Sequence, residues 1–375
     1  MIKKRIVYVT TTPETVVSIL NDQCIYLNDQ FDFMVVTGRA SSFNLFFPNE
    51  LKWHRISLTR SLNPFKDLAA IIELIVLLKR IRPDVVHSFT PKAGFVSAIS
   101  AFLCSVEFRV HTFTGLLWPT LGGFRRFFFK LFDEFIILLN TSIIAESNGV
   151  KSDLESLSIK KEIKIIGKGN IAGVDTVRFK SENFELNKSS RSNLLNIGED
   201  KFVFIFVGRL NKDKGVKELY DAFYNLSQNA FLLIVGELDK SNPISNDLLR
   251  CLSSHPRIIL SGYQRDIRPF LKASNILVLP SYREGFPNVL LQANSMGLPL
   301  IASDVNGSRE LIRPGFNGWL IRSRDRKDLE LFMRIALRTS DSKLKQMGHN
   351  GRKMVCEYFD RKEHLERMKS FYINL

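Results

Sequence analysis

The residues best placed to do chemistry are two cations and two side chains that accept hydrogen bonds. Arg209 follows the apolar run FVFIFV, with only Gly208 between them, and Lys214 stands five residues on, just before Gly215. Such a run reads as a strand, which puts Arg209 at a strand's carboxyl end and Lys214 at the start of a helix. A guanidinium clasps phosphate oxygens with parallel N–H donors, and an ammonium adds a compact point charge. The pair suits a diphosphate; two solvated surface cations are the ordinary alternative. Glu284 lies in a loop after the strand ILVLP, where Gly285 removes side-chain bulk and Pro287 suits the first turn of a helix. The N–H groups opening that helix, from Asn288 onward, have no partner within it and can meet an anion or a hydroxyl oxygen. Gln292, eight residues after Glu284, can both accept and donate. For Glu284 the plain alternative is a helix-capping acid.

Short β-branched runs alternate with helical patterns through the whole chain and must position these groups. In the first half the strands are expected at 5–10, 33–37, 84–89, 109–114, 143–146 and 164–166, with a helix over 68–81 ended by Pro83. The second half repeats the pattern, with strands at 202–207, 231–235, 257–260, 276–279 and 300–302. Helices there are expected at 214–226, 267–273, 287–296 and 327–337. Alternation of this kind implies α/β architecture, with parallel sheets covered on both faces and ligands at the carboxyl ends of strands. Between the halves, 179–201 is polar and lacks apolar periodicity, which marks a connection. The expected organisation is a first domain over 1–180, a linker at 181–200, a second domain over 201–359 and a terminal helix at 360–375. Two such domains in series predict a cleft.

The strings FVGRLNKDKG (Phe206–Gly215) and PSYREGFPNVLLQ (Pro280–Gln292) resemble the donor site of the family 4 retaining glycosyltransferases, which use nucleotide sugars. The resemblance covers nearly the whole chain. It implies the GT-B fold, two Rossmann-like doubly wound domains. It also implies that Arg209 and Lys214 grip the donor diphosphate and that Glu284 holds sugar hydroxyls, helped by the backbone of Gly285, Phe286, Pro287, Asn288 and Val289. The family pattern has a second glutamate where this chain has Gln292, so ribose is expected to be held less tightly. Tyr263 and Gln264, in the loop SGYQR, fall where the family holds the base. The loop NGSRE (Asn306–Glu310) resembles a Gly-containing loop late in the second domain, and IKIIGKGNIAGVDTVRF (Ile163–Phe179) the entry to the hinge, with Asp175 in a structural role.

On the acceptor side, VHSFTPKAG and RVHTFTGLLW resemble stretches of the family's first domain. Many members carry a histidine just before a glycine; here that position is Thr114, before Gly115. His111, three residues earlier, and His87, near a strand's carboxyl end, are the other candidates, and a buried structural histidine is the plain alternative for each. A strand would point His111 and Thr114 to opposite faces. A retaining transferase can work by front-face attack, in which a diphosphate oxygen takes the acceptor's proton, so a missing histidine is tolerable. No cofactor and no metal are expected. The chain has no Asp-any-Asp pair, the usual divalent-cation grip of the other large transferase fold, and its six histidines lack metal-site spacing.

The composition agrees with an anionic partner. The net charge of +15 is spread over both halves, with 23 Lys/Arg against 16 Asp/Glu in residues 1–180. No nucleic-acid motif accompanies it, so nucleic acid is not an expected partner. Four scattered cysteines indicate neither a zinc site nor a disulfide framework. The apolar runs are too short to span a bilayer. Phe124–Phe135, FRRFFFKLFDEF, puts Phe124, Phe127, Phe128, Leu131 and Phe135 on one helical stripe flanked by Arg125, Arg126 and Lys130. That stripe either docks on an anionic membrane or buries itself in the first domain. The resemblance implies a UDP-sugar donor and a lipid-linked saccharide acceptor in capsule, O-antigen or exopolysaccharide synthesis, at the inner face of the bacterial inner membrane. Its rivals are a sugar-nucleotide 2-epimerase, which would need acid/base groups in the cleft, and a non-catalytic binding subunit.

Overall fold

The three-dimensional structure, a computed structural model, describes residues 3–39, 50–60, 63–183, 188–198, 200–239 and 242–375. The chain divides into two units, one formed by Met1–Ala172 with Lys362–Leu375 and the other by Gly173–Arg361. The division therefore falls before the expected boundary at 180. The stretch expected as a linker, 181–200, belongs to the second unit, where Leu195 is buried in the core.

The first unit is built on strands β1 (Arg5–Thr10), β2 (Asp32–Thr37), β3 (Lys52–Arg55), β4 (Val85–Phe89), β5 (Phe108–Phe113), β6 (Ser142–Ala145) and β7 (Ile163–Lys164). They pair in parallel in the order β3-β2-β1-β4-β5-β6-β7. The helices are α1 (Pro13–Thr15), continuing through a π-helical turn at Val16–Leu20 into α2 (Asn21–Gln30), then α3 (Pro64–Ile81), α4 (Pro91–Leu103), α5 (Gly123–Leu139) and α6 (Asn148–Glu155). Asn63 caps α3 by accepting from the Lys66 N–H, and Pro64 opens it. Central strands such as VVHSF are buried at every position because helices cover both faces. Each aliphatic side chain so buried stabilises the fold by about 1.5–3 kcal/mol. The strand KWHR was not legible as one: it lies at the sheet edge and is mostly exposed, so no apolar pattern marks it.

The second unit repeats the plan. Its strands are β8 (Phe202–Val207), β9 (Ala230–Val235), β10 (Ile258–Gly262), β11 (Ile276–Leu279), β12 (Leu300–Ser303) and β13 (Gly318–Ile321), in the order β10-β9-β8-β11-β12-β13. Its helices are α7 (Lys188–Leu195), α8 (Val216–Tyr224), α9 (Asn246–Ser254), α10 (Arg268–Lys272), α11 (Asn288–Ser295), α12 (Ser308–Leu311), α13 (Arg326–Arg338) and α14 (Asp341–Tyr358). The last helix, α15 (Arg361–Ile373), returns to the first unit. There Met368 and Tyr372 enter the core, and the Tyr372 hydroxyl donates to Tyr8 Oη at 2.7 Å. In each sheet the strand order reverses once, between β1 and β4 and between β8 and β11. A parallel sheet opens a crevice at the carboxyl ends of such a pair.

Candidate functional site

In the second unit the sequence-predicted residues emerge at that reversal. Arg209 and Lys214 follow β8, and Glu284 follows β11, its neighbour in the sheet. The loop after β8 is shaped by Asn211, whose side chain accepts from the Lys214 N–H at the start of a 3-10 turn, Lys212–Lys214. Gly215 closes the turn at φ +65. A Cβ on Gly215 would lie 2.1 Å from the Pro280 carbonyl oxygen, so a side chain there would force the β8 and β11 loops apart. Lys214 Nζ meets Glu284 Oε1 at 2.5 Å, joining residues 70 positions apart, and its stem passes Gly208. The two side chains are 23% and 12% exposed, so the pair is partly withdrawn from water yet reachable.

Arg209 stands 53% exposed, and its Nη1 donates to Asp239 Oδ2 at 2.7 Å. Asp239 also accepts from the Asn211 amide at 3.2 Å and is itself buried. A buried carboxylate thus aims an accessible guanidinium. Sequence reading missed Asp239; its place shortly after β9, in GELD, was the available signal. Gly236, which ends β9, brings its backbone against β8: a Cβ there would sit 1.9 Å from the Gly208 carbonyl oxygen. The Gly208 N–H donates to Val235 and the Gly236 N–H to Gly262, so the ends of β8, β9 and β10 run in series. Tyr263 and Gln264 follow directly. Tyr263 is exposed, and the Gln264 amide is turned back to the Ser261 carbonyl at 2.7 Å.

The Glu284 loop is braced from several sides. Arg283 pairs with Asp213 at 2.8 Å, and the Tyr282 hydroxyl donates to the Glu218 carboxylate at 2.7 Å. Burial and then the Glu218 carboxylate push the Tyr282 phenol up. Gly285 and Phe286 are buried, Phe286 against Phe359 at 5.2 Å. Pro287 sits at the N-cap of α11 rather than in its first turn. Asn288, Val289 and Gln292 are half-buried, and Asn288 and Gln292 share a helix face. Gly307, at φ +72, presses on this loop: a Cβ there would lie 2.3 Å from the Gly285 carbonyl oxygen. The site can therefore neutralise an anion with Arg209 and Lys214 while a carboxylate, Glu284, can accept hydrogen bonds from hydroxyls. No group of three or more potential metal-binding side chains occurs among the described residues.

In the first unit both candidate histidines are buried, the structural alternative for each. His87 is 0% exposed and stacks on Phe89 at 4.3 Å, with its ring nitrogens against the Tyr372 hydroxyl and Thr112 Oγ1. His111 is 1% exposed, with Nδ1 2.8 Å from Ser88 Oγ and its ring packed on Gly94. Burial holds the His87 imidazole well below its usual range and takes His111 down to about 3. Both are neutral core residues of strands covered on both faces. Thr114 falls just beyond the end of β5; it and Gly115, at φ +106, are half-buried at the carboxyl edge of the first sheet. Asp175 has a local role, accepting from the Arg178 N–H at 2.8 Å.

Comparison with known proteins agrees with this geometry. Residues 187–354 match the family model described as glycosyl transferases group 1, and residues 5–122 match glycosyl transferase 4-like. The capsular polysaccharide biosynthesis glycosyltransferase CapM of Staphylococcus aureus is 32% identical over 87% of this chain and 86% of its own length. The UDP-Gal:alpha-D-GlcNAc-diphosphoundecaprenol alpha-1,3-galactosyltransferase of Escherichia coli is 29% identical over 93% and 90%. Among solved structures, Anabaena HepE in complex with UDP and glucose superposes with a TM-score of 0.83 at 18% identity, covering 99% of this chain and 100% of its own. The chain belongs to the family 4 glycosyltransferases of the GT-B fold, of the bacterial surface-polysaccharide type.

Proposed function

We propose that this enzyme moves a sugar from a UDP-sugar to a lipid-linked saccharide, with retention of anomeric configuration, at the inner face of the bacterial inner membrane. The observation that carries the reading is the meeting of Lys214 and Glu284 at the strand-order reversal, with Arg209 fixed beside them. In the proposed donor complex Lys214 and Arg209 hold the diphosphate, Glu284 accepts hydrogen bonds from sugar hydroxyls, and Gln292 accepts one from a ribose hydroxyl. Tyr263 and Gln264 border the base. Thr114 and Gly115, at the carboxyl edge of the first sheet, are the residues proposed to bind the acceptor. Its hydroxyl attacks on the face that the diphosphate leaves: the bond from the anomeric carbon to the diphosphate oxygen breaks, the new glycosidic bond forms, and the departing oxygen takes the proton. The Glu284 carboxylate offsets positive charge growing on the sugar ring. Arg209 and Lys214 neutralise the leaving group, so no metal is required by this scheme. The named substrates of the Escherichia coli relative, a UDP-sugar and a diphosphoundecaprenol-linked acceptor, support the choice of donor and acceptor.

Calorimetry with a panel of nucleotide diphosphates and their sugars, in EDTA, tests the reading on wild type and Arg209→Ala. The expected result is micromolar binding of the uridine members, lost in the variant. No binding by a folded protein would overturn it, and binding without transfer would favour a non-catalytic subunit. The anomeric configuration of the product, read by NMR, decides retention.

A further inference from the structure

The outer layer of the first sheet is apolar where a water-facing helix layer should be polar. Helices α3, α4 and α5 follow one another across β1, β4, β5 and β6, with α4 packed between the other two. On α3 the side chains of Phe65, Leu68, Ile72 and Val76 recur every three or four residues and all stand exposed, Phe65 by 86%. On α4, Phe102 and Leu103 stand exposed. On α5 the stripe of Phe124, Phe128, Leu131 and Phe135 is exposed as well, Phe124 by 80%, which removes the alternative that the stripe is buried in its own domain. Buried residues of the same helices, such as Leu74 and Ile136, already supply the core-facing stripes, so these are second faces. Single exposed apolar residues are ordinary, but stripes on neighbouring helices mark an interaction surface.

The charges on this layer identify what it meets. Lys66, Lys79, Arg80, Arg125 and Arg126 are exposed beside the stripes. The carboxylates of α3 and α5 are engaged elsewhere: Asp67 with Lys92 Nζ at 2.6 Å, Glu73 with Ser57, Asp133 with the Trp118 indole N–H, and Glu134 with the Ser158 N–H. A second copy of the chain would bring cations against cations across a two-fold axis. An anionic bilayer answers both features, taking the rings among its acyl chains and the cations at its phosphates.

We propose that the α3–α4–α5 face lies on an anionic phospholipid bilayer. Helices that return between parallel strands run antiparallel to them, so Phe65 and Phe124, near the N-termini of α3 and α5, mark the carboxyl edge of the sheet. Phe102 and Leu103, at the C-terminus of α4, mark the opposite edge, so the helices lie along the membrane surface and the carboxyl edge is held close to it. This orientation rests on the lipid-linked acceptor proposed above; binding to the bilayer does not.

The test is flotation of the full-length protein with vesicles of phosphatidylcholine alone and with about 30% phosphatidylglycerol. Wild type should float with the anionic vesicles at least about tenfold better than with the neutral ones. The triple variant Phe124→Ser, Phe128→Ser, Leu131→Ser should lose about tenfold or more of that binding. Arg125→Glu with Arg126→Glu should lose the preference for the anionic lipid. All five positions are exposed, so thermal melting should be little changed, and transfer to a water-soluble acceptor should persist. Failure of wild type to float, or flotation indifferent to both variants, overturns the proposal. So does a wild-type dimer in solution that the serine variant dissociates, since a second copy would then cover the face. Vesicle binding needs neither donor nor acceptor, so it succeeds or fails separately from the transferase reading.

Discussion

Lys214 and Glu284 neutralise each other in the free protein, so any donor diphosphate that reaches Lys214 competes with the carboxylate. The contact is 2.5 Å long and its side chains are 23% and 12% exposed. Its partial exposure limits the net worth of such a pair to about 1–2 kcal/mol, far below the bare Coulomb term. Glu284→Gln removes the competing charge and keeps the shape. UDP, which has no sugar for Glu284 to hold, should then bind more tightly, by about 5–30-fold. Transfer from a UDP-sugar should fall by about 10²–10³-fold, because the carboxylate facing the developing charge is gone. Lys214→Met should move the other way and weaken UDP by about tenfold or more. The double variant should be non-additive, since each change removes the other's partner. Calorimetry with UDP and single-turnover transfer measure the two halves, with melting curves to check that each variant folds. Weaker UDP binding by Glu284→Gln would refute the reasoning, because it would mean the carboxylate does not compete for the lysine.

Gln292→Glu places two acceptor oxygens at the proposed ribose position and should tighten UDP binding about 3–10-fold by calorimetry; no change would place the ribose elsewhere. Gly307→Ala should weaken donor binding about tenfold, because its Cβ meets the Gly285 carbonyl oxygen. Gly315→Ala imposes a similar positive φ with nothing within 4 Å, so it should cost stability and leave binding intact; equal effects on binding would deny the loop contact its role. Burial pushes the Asp133 carboxyl up to about 7, against the opposing hydrogen bond from Trp118. The folded state then holds a proton that the unfolded chain releases near pH 4, so stability falls as pH rises from about 4 to about 7 and is level above that. Asp133→Asn should flatten that slope and raise the stability at pH 8, by at most about 4 kcal/mol, while leaving pH 4 unchanged; parallel pH profiles for the two proteins would contradict it.

The alternation of β-branched runs and helical patterns was enough to place most strands of both sheets, because strands buried on both faces are largely apolar. FVFIFV and ILVL stand as strands at 202–207 and 276–279, where the pattern put them. The candidate donor residues were legible for the same reason: they lie directly after those strands, and a parallel sheet delivers every such position to one edge. The strand KWHR escaped because it ends its sheet and is polar and mostly exposed, and GWLI, though apolar, is a run of only four residues at the end of the other sheet. Other facts depend on pairs distant in the chain. Asp239 grips Arg209 from 30 positions away, and three glycines are required by backbones that approach them from other loops. His87 and His111 have the chemistry of acid/base groups, and only the helices packed over both faces of their strands exclude them from it. A helical stripe of phenylalanines likewise reads the same whether buried or exposed. Periodicity reports that a face is apolar, and the tertiary structure decides what covers it, since burial depends on elements the local sequence does not contain.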